Sequence, residues 1–159
     1  MDKLIVSAAS IDQLVEESRI SSRKRAFRLF RSSDKGELPA MMYNAMQLGT
    51  YVQPHRHPSD GKEVWIAQRG IIRAILFDER GVVQEWHDVS VGGIAYIEIP
   101  PQTFHTAIPL VPDSVICELY LGIYRAETYK QGATWAPSEQ ADPSVSAEYM
   151  GRLLEKTGH

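Results

Sequence analysis

The sequence predicts an all-β domain, either an antiparallel sandwich or a small barrel, with a short helix at each end. Eight short runs between residues 40 and 124 are rich in β-branched and aromatic side chains. Turn residues separate these runs at regular intervals, among them Gly49, Gly70 and the DERG segment at residues 78–81. Short strands with this spacing are typical of sandwiches and barrels. No helical periodicity interrupts the runs, which argues against a parallel α/β sheet.

The N-terminal helix is predicted from a capping box and an apolar face. Ser10 and Gln13 can each satisfy a backbone donor of the first helical turn. The residues that share one face at helical spacing are Ile11, Leu14, Val15 and Ser18. This pattern predicts a short amphipathic helix from residue 11 to about residue 20.

The C-terminal helix is predicted to start at Asp142, because the following Pro143 suits the first helical turn. Val145, Tyr149 and Leu153 have the spacing of one buried stripe.

Together, the two helices and the strand runs predict a single domain with three segments. The domain spans residues 1–159, with a helical lead-in at 1–35, a β-barrel at 36–135 and a C-terminal helical segment at 136–159.

The composition is that of a globular protein, since 43% of the 159 residues are hydrophobic and 23% are charged. The formal net charge of -3 gives no reason to expect nucleic acid or an anionic membrane as a partner. No run approaches the roughly 20 apolar residues that cross a bilayer. The first residues do not resemble a secretory signal. We expect a cytoplasmic protein whose single cysteine, Cys117, is a buried apolar side chain.

Two histidines alternate with an arginine in YVQPHRHPSDGKEVW, residues 51–65. His55 and His57 project to the same side of a strand, because side chains alternate along it. Glu63 starts the next run after a turn, and His105 lies in a later run. Three imidazoles and one carboxylate suit a divalent ion such as Fe, Mn, Ni, Co or Zn, and leave positions for water or substrate on an octahedral ion. Taken alone, the H-x-H pattern is equally compatible with two surface histidines.

The segment at residues 49–70 resembles the first sequence motif of the cupin superfamily. It contains a glycine, five residues, H-x-H, a gap, a glutamate, six residues and a glycine. The gap before Glu63 is one residue longer than is usual in that motif. A later segment is similar to the second motif, in which a proline precedes a histidine by five residues, here Pro100 and His105. Gln102 stands where that motif usually has a glycine.

The likeness extends along nearly the whole chain, through SSRKRAFRLFRS, FDERGVV, ELYLGIY and the late WAP, which resemble the WbuC family of small cupin-fold metalloproteins. This resemblance implies a cupin barrel (a double-stranded β-helix, or jelly roll) with short terminal helices. It also implies one divalent metal ion with His55, His57, Glu63 and His105 as ligands. Genes of this family often accompany those for O-antigen and other surface polysaccharides, which suggests a sugar or sugar derivative as substrate.

Three strand residues are candidates for contact with that small molecule. In the run VICELYLGIY, Glu118 and Tyr120 share one face, so they either face solvent or line a polar cavity. Beside a metal, Glu118 can act as a general base; otherwise it is an exposed strand residue. Asn44 interrupts an apolar run and needs hydrogen-bond partners, which a polar barrel interior or a bend supplies.

Basic residues are concentrated in RKRAFRLFR at residues 23–31. Arg23 and Arg25 are candidates for binding an anionic group of the substrate, because guanidinium groups match phosphate and carboxylate. The alternative is a surface whose cations pair with the protein's own carboxylates, and the pattern favours that alternative.

These features favour a metal-dependent enzyme that acts on a small polar molecule by isomerisation or epimerisation or, with iron, as a dioxygenase. The alternative is a non-catalytic or regulatory module in which the metal fixes an effector, since one fold hosts both kinds of function. A purely structural metal is disfavoured, because no cysteine is among the candidate ligands. We also expect a homodimer, because small barrels often cover their exposed edge strands.

Overall fold

The computed structural model describes residues 4–32, 39–57 and 61–159. Within these residues two α-helices flank ten β-strands. The helices are α1 (Ala8–Ile20) and α2 (Pro143–Lys156). The strands are β1 (Arg25–Arg31), β2 (Ala40–Met46), β3 (His55–Arg56), β4 (Lys62–Arg69), β5 (Ile71–Phe77), β6 (Val83–Ser90), β7 (Tyr96–Ile99), β8 (Phe104–Pro109), β9 (Ser114–Leu121) and β10 (Gln131–Gly132).

The strands form two five-stranded sheets. One sheet has the strand order β1-β2-β9-β4-β7 and the other has the order β10-β3-β8-β5-β6. The neighbouring strands of both sheets pair in antiparallel fashion. The predicted all-β fold with a short helix at each end is therefore confirmed.

Side chains from both sheets meet in an apolar cluster, which we call the apolar layer. Every member is almost completely buried, and burial of such side chains is the main favourable contribution to folding. The members are Met46, Trp65, Ile72, Ala74, Leu76, Val89, Ile99, Ala107 and Ile116.

Each helix packs against side chains of one sheet. Leu14 of α1 packs with Val115 of β9, which belongs to the first sheet. Met150 of α2 packs in a cluster with Ile75 of β5, which belongs to the second sheet. In the part of the chain that the structure describes, no helix is both long and apolar enough to cross a membrane.

The helix boundaries differ in part from the sequence prediction. The N-cap of α1 is Ser7, whose hydroxyl accepts a hydrogen bond from the backbone N–H of Ser10, so Ser10 is not the cap that the sequence predicted. Asp142 caps α2 as predicted, and it accepts from the backbone N–H of Ser144. Val145 is 47% exposed, because α2 turns another face toward the sheet. The residues that this face buries are Ser146, Met150 and Leu153.

The sequence pattern does not predict β1 and β10, and the strand around His55 is shorter than the pattern indicates, since it contains two residues. Strand β1 lies within the segment predicted as a helical lead-in, so the helical assignment is wrong for Arg25–Arg31. This strand pairs with β2 along its length and forms one edge of its sheet. Arginines on a partly exposed edge obscure the alternation of polar and apolar residues that marks a central strand.

Three motif positions adopt the left-handed backbone conformation. Gly49 and Gly70, which frame the first motif, have φ of 83° and 69°. Gln102 has φ of 60°, although a side chain makes this conformation less favourable. Gln102 stands where the motif usually has a glycine. In the turn before His105, this position therefore keeps the left-handed backbone that favours glycine.

Candidate metal centre and the cavity beside it

Three histidines from neighbouring chain segments converge inside the barrel. His55 of β3 is the register partner of His105 of β8, and His57 follows directly after β3. The exposed fractions of His55, His57 and His105 are 6%, 3% and 0%. Their ring centroids lie 4.5 to 5.1 Å apart. One nitrogen from each ring lies within 4.8 Å of the others, so the three residues can hold a metal ion.

Backbone carbonyls fix the tautomer of all three rings. The Nδ1 atoms of His55 and His105 lie 2.9 Å and 2.8 Å from the carbonyl oxygens of the residues two positions earlier. The Nδ1 of His57 lies 2.8 Å from the carbonyl oxygen of Tyr129. Because a carbonyl oxygen only accepts, each Nδ1 must carry the proton. Each neutral ring therefore presents the lone pair of its Nε2, which is the form that ligates a metal.

Glu63 approaches the histidines from the opposite sheet. It is the first inward-facing residue of β4 and is 2% exposed. Its Oε2 lies 2.9 Å from Nε2 of His57 and 3.1 Å from Nε2 of His105. Neutral rings with protonated Nδ1 cannot donate to this oxygen. The contacts are favourable only when a positive charge, a proton or a metal ion, lies between the oxygen and the nitrogens.

The electrostatics of the cluster agree with this requirement. Burial lowers the pKa of His55 well below its usual value, so this ring is neutral. Burial opposes the charge of Glu63, but its interactions with His57 and then His105, which are favourable when a proton lies between Oε2 and Nε2, hold the pKa of that carboxyl well below its usual range. A buried carboxylate with neutral imidazole donors is a ligand set that fits a divalent transition metal.

Tyr129 holds two of these side chains in place. Its carbonyl accepts from His57, and its hydroxyl donates to Oε1 of Glu63 at 3.0 Å. Burial, followed by the charge of Glu63, raises the pKa of this tyrosine well above its usual value, so the hydroxyl keeps its proton. Tyr129 carries no signal in the sequence, because it lies between β9 and β10 in a segment without strand or helix periodicity.

A cavity of about 320 Å³ opens beside the cluster. His55 and Glu63 line it, and so do four residues that the sequence analysis proposed as catalytic or substrate-binding: Arg23, Arg25, Asn44 and Glu118. The other lining residues are Phe27, Met42, Met46, Val52, Trp65, Ala107, Tyr124, Ala126, Tyr129, Lys130 and Glu139.

Glu118 lies on the inner face of β9 rather than in solvent, with an exposed fraction of 7%. Burial, followed by the charge of Glu63, raises the pKa of Glu118 well above its usual value. The environment of this carboxyl therefore favours its protonated form. Tyr120, two residues further along β9, has no exposed surface and packs against the rings of His57 and Tyr129, at centroid distances of 5.5 Å and 4.9 Å.

The basic segment pairs largely with the protein's own carboxylates. Arg25 donates to Glu139 at 2.6 Å and to the carbonyl oxygen of Tyr51 at 2.8 Å. Arg23 also pairs with Glu139. Burial, followed by the neighbouring Arg23, lowers the pKa of Arg25 to about 10. Elsewhere in the segment, Arg28 pairs with Glu17 at 2.6 Å. Arg23 and Arg25 thus line the cavity, and both also pair with the protein's own Glu139.

Two further side chains of types that can bind metal, Cys117 and His87, lie outside the cluster. Cys117 is buried, and burial raises the pKa of its thiol to about 11, which makes it a packing residue. His87 lies on the surface, 3.3 Å from Glu85, and takes no part in the three-histidine group.

The sequence profile of a domain of unknown function, DUF6016, matches residues 6–89, which is more than half of the chain. The chain belongs to this family. The matched segment of the DUF6016 protein includes His55, His57 and Glu63, whereas His105 lies beyond it. No curated protein matches the chain in sequence.

Solved structures with the cupin fold are similar to this DUF6016 member. KdgF from Halomonas sp. has a TM-score of 0.51 at 15% identity, over 68% of this chain and 87% of that one. The capsular polysaccharide assembling protein CapF from Staphylococcus aureus has a TM-score of 0.57 at 15% identity, over 71% and 32%. Oxalate decarboxylase from Bacillus subtilis has a TM-score of 0.55 at 18% identity, over 82% and 34%. The chain spans about a third of the latter two, and at these identities the likeness shows the fold alone.

Proposed function

We propose that the protein is a metal-dependent enzyme that converts a small polar molecule inside the barrel. The observation that carries this proposal is the convergence of three buried imidazoles, all with Nε2 free to ligate, on one carboxylate beside a cavity. The proposed ligands are His55, His57, Glu63 and His105. Neutral imidazoles and carboxylate suit Fe, Mn, Ni, Co or Zn, and any of these would supply Lewis-acid chemistry when bound.

The protein's own residues would orient the substrate and move protons. Glu118 and Glu63 line the same cavity, and the raised pKa of Glu118 favours its protonated form, so it can donate a proton to a bound molecule and recover it later. Tyr129 keeps His57 and Glu63 in the orientation that directs their lone pairs to one point. Asn44 offers both a donor and an acceptor to substrate hydroxyl groups.

The proposed substrate is a sugar or sugar derivative that is used in surface-polysaccharide assembly, and the proposed reaction is isomerisation or epimerisation. Two observations support this. The sequence resembles the WbuC family, and CapF, a capsular polysaccharide assembling protein, has a similar fold.

We further propose that the protein acts in the cytoplasm and as a homodimer. Size-exclusion chromatography with light scattering tests the dimer, and a single-chain mass would contradict it.

Hydrogen exchange with solvent tests the enzymatic proposal, because isomerisation and epimerisation through proton transfer break a C–H bond. The metal-loaded protein is incubated in D₂O with six-carbon aldoses, ketoses and uronic acids, and deuterium uptake is followed by proton NMR. We expect uptake next to the carbonyl of at least one sugar. Glu118→Gln should lower the rate by about 100-fold or more without changing the metal content.

The matched control is Glu85→Gln, which removes an exposed carboxylate on β6 and should leave the rate unchanged. Absence of exchange by metal-loaded protein would contradict the isomerase proposal. If the iron-loaded protein instead consumed oxygen in the presence of one of these compounds, the dioxygenase alternative would replace it. Binding without either reaction would indicate a non-catalytic effector site.

A further inference from the structure

Three cationic side chains line the cavity, and they differ in their partners. Arg23 and Arg25 share one carboxylate, that of Glu139. Lys130 also lines the cavity but forms no ion pair with any described residue. It is exposed, so it lies where the cavity meets solvent. Its ammonium lies 5.7 Å from the ring centroid of Tyr129.

Two of the three carboxylates that line the cavity are engaged by side chains other than Lys130. Glu63 contacts His57, His105 and the hydroxyl of Tyr129. Glu139 is held by the two arginines. Lys130 nevertheless lies close to the cluster, because it lines the same cavity as His55 and Glu63. The cavity thus presents an ammonium group beside the proposed metal ligands.

The charge balance of the cavity favours an anionic occupant. With a divalent ion on the histidines, the positive charges outnumber the three carboxylates even when Glu118 is ionised. Such an excess, in a cleft with apolar walls, concentrates anions. An ammonium group is also a strong donor to carboxylate and phosphate oxygens.

The size of the cavity limits what this anion can be. A volume of 320 Å³ is at the lower end of the range of about 300–1,000 Å³ that is common for ligand sites. A single sugar-sized molecule suits this space, whereas a nucleotide would have to lie outside it. Asn44, on the same wall, suits hydroxyl groups.

From these observations we infer that the natural ligand is a small polyhydroxylated molecule with one anionic group, a carboxylate or a phosphate, and that Lys130 binds this group. The inference rests on the proposed function and specifies its substrate class. It assigns to Lys130 a role in specificity that neither the cupin motifs nor the predicted ligand set includes.

Three probes of nearly the same shape test the inference. Sorbitol is uncharged, gluconate carries a carboxylate, and sorbitol 6-phosphate carries a phosphate on the same carbon skeleton. Binding to manganese-loaded protein is measured by isothermal titration calorimetry. We expect one or both anions to bind about tenfold more tightly than sorbitol, as one charge-assisted hydrogen bond provides. The anion that binds more tightly identifies the group, and the preference should shrink as sodium chloride is added.

Substitution of Lys130 tests whether the preference for an anion over sorbitol depends on this residue. Lys130→Gln should lower the affinity for the preferred anion by about tenfold and leave that for sorbitol within about twofold. Lys130→Arg, which keeps the charge, should retain most of the preference. The matched control is Lys156→Gln on the exposed end of α2, which changes the net charge equally and should alter none of the affinities.

Metal content, measured on the same samples, separates this inference from the proposed function. If the protein holds metal but binds the anions no better than sorbitol, or if Lys130→Gln leaves the preference intact, the inference is wrong and the metal-enzyme proposal stands. Failure of all three probes to bind metal-loaded protein also overturns it. If the protein holds no metal, the proposed function fails, and the same three titrations with metal-free protein then decide the role of Lys130.

Discussion

The interior of the barrel has two layers that are built from the same strands and differ sharply in chemistry. The apolar layer is almost completely buried and contains no charged group. The adjoining layer contains the histidines, Glu63 and Glu118, and it borders the cavity. On three strands, the change from apolar to polar side chains occurs between two successive inward-facing residues. These pairs are Trp65 and Glu63 on β4, Ala107 and His105 on β8, and Ile116 and Glu118 on β9.

This contrast separates residues that stabilise the fold from residues that destabilise it. Burial of each large apolar side chain contributes about 1.5–3 kcal/mol, so the apolar layer explains why the barrel folds. Buried carboxyl groups and imidazoles cost free energy unless they are fully paired. Nothing in the folding of a barrel requires the polar layer, which is why we assign it to function.

The largest effect on stability is expected in the apolar layer. Ile116→Ala removes a side chain that is 1% exposed and leaves a cavity between the sheets. Loss of about 2–5 kcal/mol of the free energy of unfolding should follow, as measured by urea denaturation. Ile123→Ala, at a position that is 52% exposed just after β9, is the control and should change stability by less than about 0.5 kcal/mol. Equal effects of the two substitutions would mean that the layer is not tightly packed.

In the polar layer, the expected effect is on metal binding. Tyr129→Phe removes the hydroxyl that donates to Glu63 but keeps the carbonyl that accepts from His57. Metal affinity should fall by about tenfold, as is common when a group that orients a ligand is lost. Competition with a chelator measures it. Tyr96→Phe, which alters an exposed tyrosine on β7, serves as the control. Unchanged affinity in Tyr129→Phe would show that Glu63 does not depend on this contact.

A substitution of Glu63 tests whether the polar layer destabilises the metal-free fold. In metal-free protein, Glu63→Gln places an amide with two N–H donors opposite the Nε2 lone pairs of His57 and His105. Its Oε1 can still accept from Tyr129. We expect the free energy of unfolding to rise by about 1 kcal/mol, while metal affinity falls. A loss of stability comparable to that of Ile116→Ala would contradict the division between the layers.

The smallest effect is expected for an ion pair outside both layers. Arg73 donates to both carboxylate oxygens of Asp88 at 2.7 Å and 2.9 Å and also to Thr157, so it connects β5 and β6 to the end of α2. The hydrogen bond from Arg73 lowers the pKa of Asp88, and this contribution to stability is therefore present above the unfolded pKa of about 4 and is lost as the pH falls through the lower folded value.

Asp88→Asn is the corresponding variant. Because the Asp88 side chain is 42% exposed, the loss at pH 7 should not exceed about 1 kcal/mol. Urea midpoints of the two proteins should converge as the pH is lowered from about 5 to about 2. A gap that stays constant over this range would show that the charge of Asp88 does not contribute.

The elements that the sequence predicted are those whose pattern is local. Alternation along β4 places Glu63 on an inward face, and the short H-x-H spacing places two imidazoles together. For Glu118 on β9 the sequence left a solvent-facing and an inward position open, and the side chain lies on the inward face. Hydrophobic patterning does not mark β1, because an edge strand is half exposed. The left-handed turn at Gln102 forms without the glycine that signals it in the motif.

Tyr129 and Lys130 could not be predicted from the sequence, for a physical reason. Both lie in the connection between β9 and β10, where no periodicity fixes the direction of a side chain. Their positions depend on how this connection returns past His57 and Glu63, which is a tertiary contact of a loop. The residues that orient the proposed ligands and bind the proposed substrate anion are therefore visible only in the folded chain.

The central claim is that the polar layer holds a metal ion, and elemental analysis tests it most directly. The protein is purified without added metal or chelator, beside the variant His55→Ala/His105→Ala. We expect about one equivalent of Fe, Mn, Ni, Co or Zn per chain in the unchanged protein and none in the variant. Absence of metal from both proteins, even after incubation with each of these ions, would contradict the account.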